Sequence, residues 1–151
     1  MKKEDQVCSL EQAIKLKESG VKQSGICLWI RTGALVQQQH DQTFKKIRDA
    51  GLPFVDFITE VDSFNEETIA VAFTVAELGL MLTGLTQEKD THSEYNCVWE
   101  KWTSFLIDSN LETEYQIDGE TEAKARAGML IYLLEKNIIS IQEVNNKLNH
   151  E

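Results

Sequence analysis

Apolar residues recur at three- and four-residue spacing in four stretches of this chain, each behind a Ser or Thr able to cap a helix. Ser9 with Gln12, Thr74 with Glu77, and Ser140 with Glu143 have the spacing of a capping box: the hydroxyl takes a backbone N–H and the residue three further on reaches back. Thr121 offers the hydroxyl without the reciprocal partner. The first helix puts Leu10, Ala13, Ile14 and the Lys17 stem on one face, pairs Glu11 with Lys15, and stops at Gly20. The second shows Val75, Leu78 and Leu82, with Gly84 as its stop and Gly79 inside it, which predicts close packing against another element. The strongest pattern runs from Glu122 to Lys136, where Met129 to Leu134 is apolar nearly all round, so this helix is expected to be central to the core. Asn137 is its predicted left-handed stop, and a short helix from Ile141 to Asn149 follows.

Between the helices, Ile26 to Arg31, Phe54 to Glu60, Ile69 to Phe73, Tyr95 to Ile107 and Glu112 to Ile117 have strand character. Alternation of Tyr95, Cys97 and Trp99, then of Phe105 and Ile107, suits an antiparallel sheet with one buried face, and Asp108-Ser109-Asn110 is a turn. Val36 to Ala50 reads as a glutamine-rich loop and a short helix, stopped by Gly51 and Pro53. The expected fold is one α+β domain over residues 1–151, an antiparallel sheet of four or five strands packed by the long C-terminal helix, with residues 1–6 and 148–151 frayed.

Composition agrees with a single domain: 151 residues, 42% hydrophobic, with one proline. Met1 to Gln6 is polar with no apolar stretch behind it, and no run approaches the roughly 20 apolar residues of a membrane span. A soluble, cytoplasmic protein without a membrane partner is therefore expected. Cys8, Cys27 and Cys97 are too widely spaced for a Cys-x-x-Cys motif and read as reduced, mostly buried thiols.

Charge changes the picture more. Residues 1–50 carry 9 Lys/Arg against 6 Asp/Glu, residues 51–120 carry 2 against 15, and residues 121–151 carry 4 of each, within a formal net charge of -10. The acidic middle repels nucleic acid and anionic membrane and attracts basic protein surfaces. Its candidate contact residues are Asp56, Glu60, Asp62, Glu66, Glu67, Glu88, Asp90 and Glu94. Paired carboxylates in so acidic a segment read as a solvated face rather than an acid–base pair.

Other motifs are weaker. Trp29 and Trp99 sit on strand-like alternation and are expected in the core, whereas Trp102, between Lys101 and Thr103, suits core and contact surface equally. Ser9 to Val36 can alternatively be read as a helix-turn-helix of the excisionase or MerR type. Gly20-Val21 would then be the turn, Lys22, Gln23 and Ser24 would lead the recognition helix, and Trp29-Ile30-Arg31-Thr32-Gly33 would end it. Gly25 and the β-prone Ile26-Cys27-Leu28 oppose that. His92-Ser93-Glu94 with Cys97 has the His-x-Glu of zinc deaminases but lacks the Pro-Cys-x-x-Cys half, so no metal, cofactor or catalytic set is expected.

Several blocks occur in a familiar order: Val7 to Glu11, Leu16 to Gln23, Ala72 to Gly79, and Thr121 to Ala123 followed by Ala125-Arg126-Ala127 and Met129 to Leu133. Over about a third of the chain they resemble a group of small uncharacterised proteins of bacteriophages and other mobile elements. The chain departs from that pattern at Ser24 to Trp29, where aromatics are usual, at Gly128 in place of lysine and at Leu80 in place of glutamate. The resemblance implies a phage-type accessory role such as countering host defence, by stoichiometric binding rather than catalysis. Two modes follow. In one, the acidic face, with Asp62, Glu66, Glu67, Glu88 and Asp90 at its centre, masks a basic host protein surface. In the other, Lys22, Gln23 and Arg31 with Trp29 or Trp102 hold an anionic nucleotide signal. A homo-oligomer is compatible with either.

Overall fold

The structure, a computed structural model, describes residues 2–32, 52–61, 66–85 and 88–149. Within them lie six strands, β1 Cys27–Thr32, β2 Phe54–Phe57, β3 Glu66–Val71, β4 Lys89–Asn96, β5 Lys101–Asp108 and β6 Thr113–Gly119. Four helices accompany them: α1 Leu10–Glu18, α2 Val75–Leu82, α3 Glu122–Glu135 and α4 Ile141–Leu148. The expected helix within Val36 to Ala50 lies outside the described residues.

All four caps form. The Ser9, Thr74, Thr121 and Ser140 hydroxyls each accept from the backbone N–H three residues on, and Gln12, Glu77 and Glu143 complete the three boxes. α1 stops at Gly20 (φ 93°) and α3 at Asn137 (φ 54°), both left-handed as predicted. Lys3–Gln6 forms a 3-10 turn, from which the Lys3 ammonium reaches Asp56 at 2.8 Å. At the other end Leu148 is buried, so α4 packs through its last residue.

The fold is α+β, but its strands form two three-stranded antiparallel sheets, ordered β2-β1-β3 and β4-β5-β6, rather than one sheet of four or five. Two segments differ from their predicted course. Tyr95 to Ile107 is not one strand but the end of β4, a turn and most of β5. β4 itself, Lys-Asp-Thr-His-Ser-Glu-Tyr-Asn, has no apolar alternation. It is held by its pairing with β5 along all eight residues, and its charged composition suits an edge strand. Phe54 to Glu60 keeps strand geometry only to Phe57 and then makes a 3-10 turn.

α3 is the hub. It packs on α1, on α2 and on one face of β4-β5-β6. Met129, Leu130 and Leu133 are fully buried beside Leu106 of β5 and Leu78 and Met81 of α2. Gly128 lets Ile117 of β6 lie against the helix, since a Cβ there would come within 2.7 Å of the Ile117 side chain. Gly79 has the close contact predicted for it: Arg126 crosses it, donating to Glu122 at 2.6 Å and to the Val75 carbonyl at 3.3 Å.

The first sheet is tied to α2 by one buried carboxylate. Glu77, 6% exposed, accepts from the Thr74 N–H at 2.8 Å, the Thr74 hydroxyl at 2.9 Å and the Ile26 N–H at 3.0 Å. Gly25 is required beside it, because a Cβ at that position would lie 2.6 Å from Val71 and 2.9 Å from the Glu77 carboxylate. Glu77→Ala leaves three donors without their acceptor and should cost about 3 kcal/mol of unfolding free energy in a denaturant titration. Glu77→Gln, which keeps one acceptor oxygen, should cost less than half of that.

Acid sensitivity has identifiable sources. The Asp118 carboxyl is held below its usual value by Lys101 and then Thr103, Glu120 by Lys124, and Glu143 by the Ser140 N–H and hydroxyl. Each binds its proton less readily folded than unfolded, so its stabilisation is complete above the ordinary carboxylate value and lost as pH falls through the depressed one. The denaturation midpoint should therefore drop as pH falls below 4.5, the ordinary value for Glu143, and Glu143→Gln should flatten the drop.

Candidate functional site

β4 and β5 are joined by the four-residue turn Cys97 to Glu100, between the paired residues Asn96 and Lys101. Asn96 builds it: the side-chain oxygen accepts the N–H groups of Val98 at 3.0 Å and Trp99 at 3.1 Å, and Glu100 takes a φ of 49°. What this ordered turn presents is apolar. Val98 is 78% exposed and Trp99 70%, and beside the turn, at the end of β4, Tyr95 is 52% exposed. The expectation that Trp99 and Cys97 are buried is thus corrected. Both belong to the turn, and turn residues have no sheet face to pack on.

Behind the tip, the Trp102 ring tilts against Tyr95 with centroids 5.6 Å apart and lines an open groove of about 760 Å³. Ile26, Val75, Ala76 and Trp102 make its apolar part, and the acidic residues along it are Asp5, Glu120 and Glu122. Among the described residues no Lys, Arg or His lines it. Its walls come from distant parts of the chain. Glu77 fixes Ile26 and the start of α2 together, while Gly119, opposite Trp102, permits α3 to start against the end of β6. A Cβ at Gly119 would lie 2.4 Å from the Ala125 nitrogen. Ile26 stays 55% exposed at the groove.

The nucleotide-binding set read from the sequence does not come together. The Trp29 indole is buried, with its N–H donating to the Cys8 carbonyl at 3.1 Å, so no ring face is available to a base. Gln23 accepts from the Val71 N–H at 2.9 Å and serves as a strap on β3. The Lys22 N–H donates to Asn145 at 2.7 Å and its ammonium to Asn149, which moors the chain to α4. Arg31, exposed on β1, has its Nε 4.0 Å from Glu67. Only Trp102 of the five lines the groove. The helix-turn-helix alternative is corrected as well: no helix follows Gly20 before β1, so Lys22 to Ile30 includes no recognition helix.

The acidic candidates divide between the two sheets. Asp56 is buried against Lys3 rather than displayed, because β2 is covered by the N-terminal turn. Glu67 is exposed on β3, Asp90 and Glu94 are exposed on β4, and Glu88 is exposed just before it. Glu66 lies in β3 and Glu60 in the turn after β2, whereas Asp62 lies outside the described residues. His92 stacks on Phe105 with centroids 4.9 Å apart and meets Glu94 at 3.1 Å. Among the described residues no three His, Cys, Asp or Glu side chains form a group able to hold a metal, and no helix is long and apolar enough to cross a membrane.

A second groove, about 430 Å³, runs between α1, α3 and β6 past the stacked Tyr115 and Tyr132 rings, 3.6 Å apart. Its lining mixes Lys15 and Lys124 with Glu11, Asp118 and Glu135, so it selects no sign of charge. The hairpin tip with the Trp102 groove is therefore the better-defined site. The sequence carried one signal of it that alternation obscured: Asn96 placed before a short run into Lys101, which is turn chemistry rather than strand.

No family model, curated protein or solved structure matches the chain.

The exposure of the tip has a direct chemical check. Burial pushes the Cys8 thiol up to about 12, Cys27 is buried, and Cys97 is exposed. A thiol reagent at neutral pH should modify one cysteine per native chain rapidly, and Cys97→Ser should abolish that reaction. Trp99→Phe should likewise remove most of the acrylamide-quenchable tryptophan fluorescence.

Proposed function

We propose that this protein is a non-catalytic binder that acts in the host cytoplasm as a phage-type accessory factor, occupying a basic surface on a host protein. The observation that carries the reading is the hairpin tip: Val98 and Trp99 project from a turn whose backbone is already fixed by Asn96, beside the exposed Tyr95 at the end of β4. Aromatic side chains held in place before binding are the kind of group that anchors protein interfaces, because they exclude water over a large area at little entropic cost. Scattered exposed hydrophobes need no explanation, but three at one tip do.

The charge map supplies the partner's character. Glu94 and Glu100 flank the tip within a segment whose 15 carboxylates face only 2 cations, so the complementary surface is an apolar pocket ringed by Lys and Arg. Exposed carboxylates steer the encounter, while the apolar anchors set the residence time. In this reading the acidic face assists the tip rather than forming an unaided imitation of nucleic acid.

The test compares wild type with Trp99→Ala and Val98→Ser as bait in a bacterial host lysate, followed by titration of the purified partner. Trp99→Ala should weaken binding at least 30-fold, the scale of an interface hot spot, with an unchanged thermal midpoint. Added salt should slow association more than it speeds release. Equal retention of the same proteins by wild type and both variants would sink the reading.

A further inference from the structure

The Trp102 groove differs from the tip: it is a concave site with an apolar interior and a margin of a single sign. Of its lining residues, Ile26, Val75, Ala76 and Trp102 are apolar, and the charged ones are Asp5, Glu120 and Glu122. Asp5 has no ion pair among the described residues and accepts only the Lys2 backbone N–H, at 3.3 Å. Glu120 and Glu122 have helical partners four residues on, Lys124 at 2.8 Å and Arg126 at 2.6 Å. Neither cation lines the groove. The Glu120 side chain is 86% exposed, so its present partner is one that an incoming cation can replace at small cost.

We propose that this groove takes a basic segment of the partner protein, with one apolar side chain seated among Ile26, Val75 and Trp102 and neighbouring Lys or Arg side chains held by Asp5, Glu120 and Glu122. The inference rests on the protein-binding reading above and names the chemistry of a second contact beside the tip. Three observations carry it. The volume of about 760 Å³ accommodates a large side chain and the backbone on either side of it. Among the described residues the margin has three carboxylates and no cation, which selects against acidic segments and against free nucleotides. The Trp102 ring joins the groove to Tyr95 and so to the tip, which makes one continuous contact surface. A second copy of this chain is a poor occupant, because each copy carries a net charge of -10 and meets the groove with the same sign.

The experiment uses the full-length protein and fluorescein-labelled synthetic peptides, read by anisotropy at fixed ionic strength. The first peptide places one leucine between two pairs of arginines; the second replaces the leucine by serine; the third replaces the arginines by glutamates. The first should bind saturably at one site, and the second about 10-fold more weakly, the share expected of one buried aliphatic side chain. The third should not bind. Ile26→Ser removes an exposed aliphatic side chain without adding charge and should weaken the first peptide several-fold with an unchanged thermal midpoint, and the double variant Asp5→Asn, Glu120→Gln should likewise weaken it several-fold.

Equal binding of the leucine and serine peptides, binding of the glutamate peptide, or insensitivity to Ile26→Ser would each overturn the proposal. So would concentration-dependent dimerisation that Ile26→Ser abolishes, because a second copy would then be the occupant. Trp99→Ala should leave peptide binding within twofold of wild type. A failed groove therefore leaves the tip reading standing, and a failed tip leaves the peptide result intact.

Discussion

The Glu77 carboxylate is the constraint on which the arrangement of this protein depends. It sits in the first turn of α2, where an acid is expected to cap its own helix, yet one of its oxygens also takes the Ile26 N–H from the chain entering β1. A single buried group thus fixes the start of a helix and the entry to the central strand of a sheet 51 residues away. Burying a carboxylate is unfavourable unless hydrogen bonds replace its water, and three donors do so here. Gly25 and Val71 close around it so tightly that no side chain fits at position 25.

That joint sets the position of everything the groove uses. With Ile26 and the first turn of α2 held together, α3 completes the enclosure by starting directly against the end of β6 at Gly119. α3 then runs across the inner face of the second sheet, and its core contacts make β4-β5-β6 a rigid platform for the hairpin. The outer face carries the Lys101–Asp118–Thr103 network and the His92–Phe105 stack, polar and aromatic pairs that need no cover.

The distribution of charge and of apolar surface on this platform is complementary. The Trp29 indole, and Lys22 and Gln23 after α1, are engaged in holding the fold, and Cys8 and Cys27 are buried in it. What remains outward on the second sheet is acidic along β4 and apolar at its tip. Such a surface has little to offer a phosphate and much to offer a basic protein face with an apolar recess.

Much of the fold was legible in the sequence because its signals are local. Capping hydroxyls, the Gly20 and Asn137 stops, and the apolar run from Met129 to Leu134 depend on the few residues around them, and each does in the structure what its pattern predicts. The division into two sheets was not legible, since β4 takes its structure from pairing with β5 rather than from its own hydrophobicity. The site was obscured for a related reason. Tyr95, Cys97 and Trp99 alternate as a strand would, and only the Asn96 turn, closed by long pairing of β4 with β5, turns two of them into a tip. Lys22, Gln23 and Arg31 lie close in sequence and have the right chemistry for an anion. Tertiary packing sends them to α4, β3 and Glu67, because each finds a partner whose position local sequence does not encode. Residue type and spacing determined the helices, most of the strands and the sign of the surface; β4 and which side chains meet were decided by how the chain's distant segments close on one another, on α3 and on Glu77.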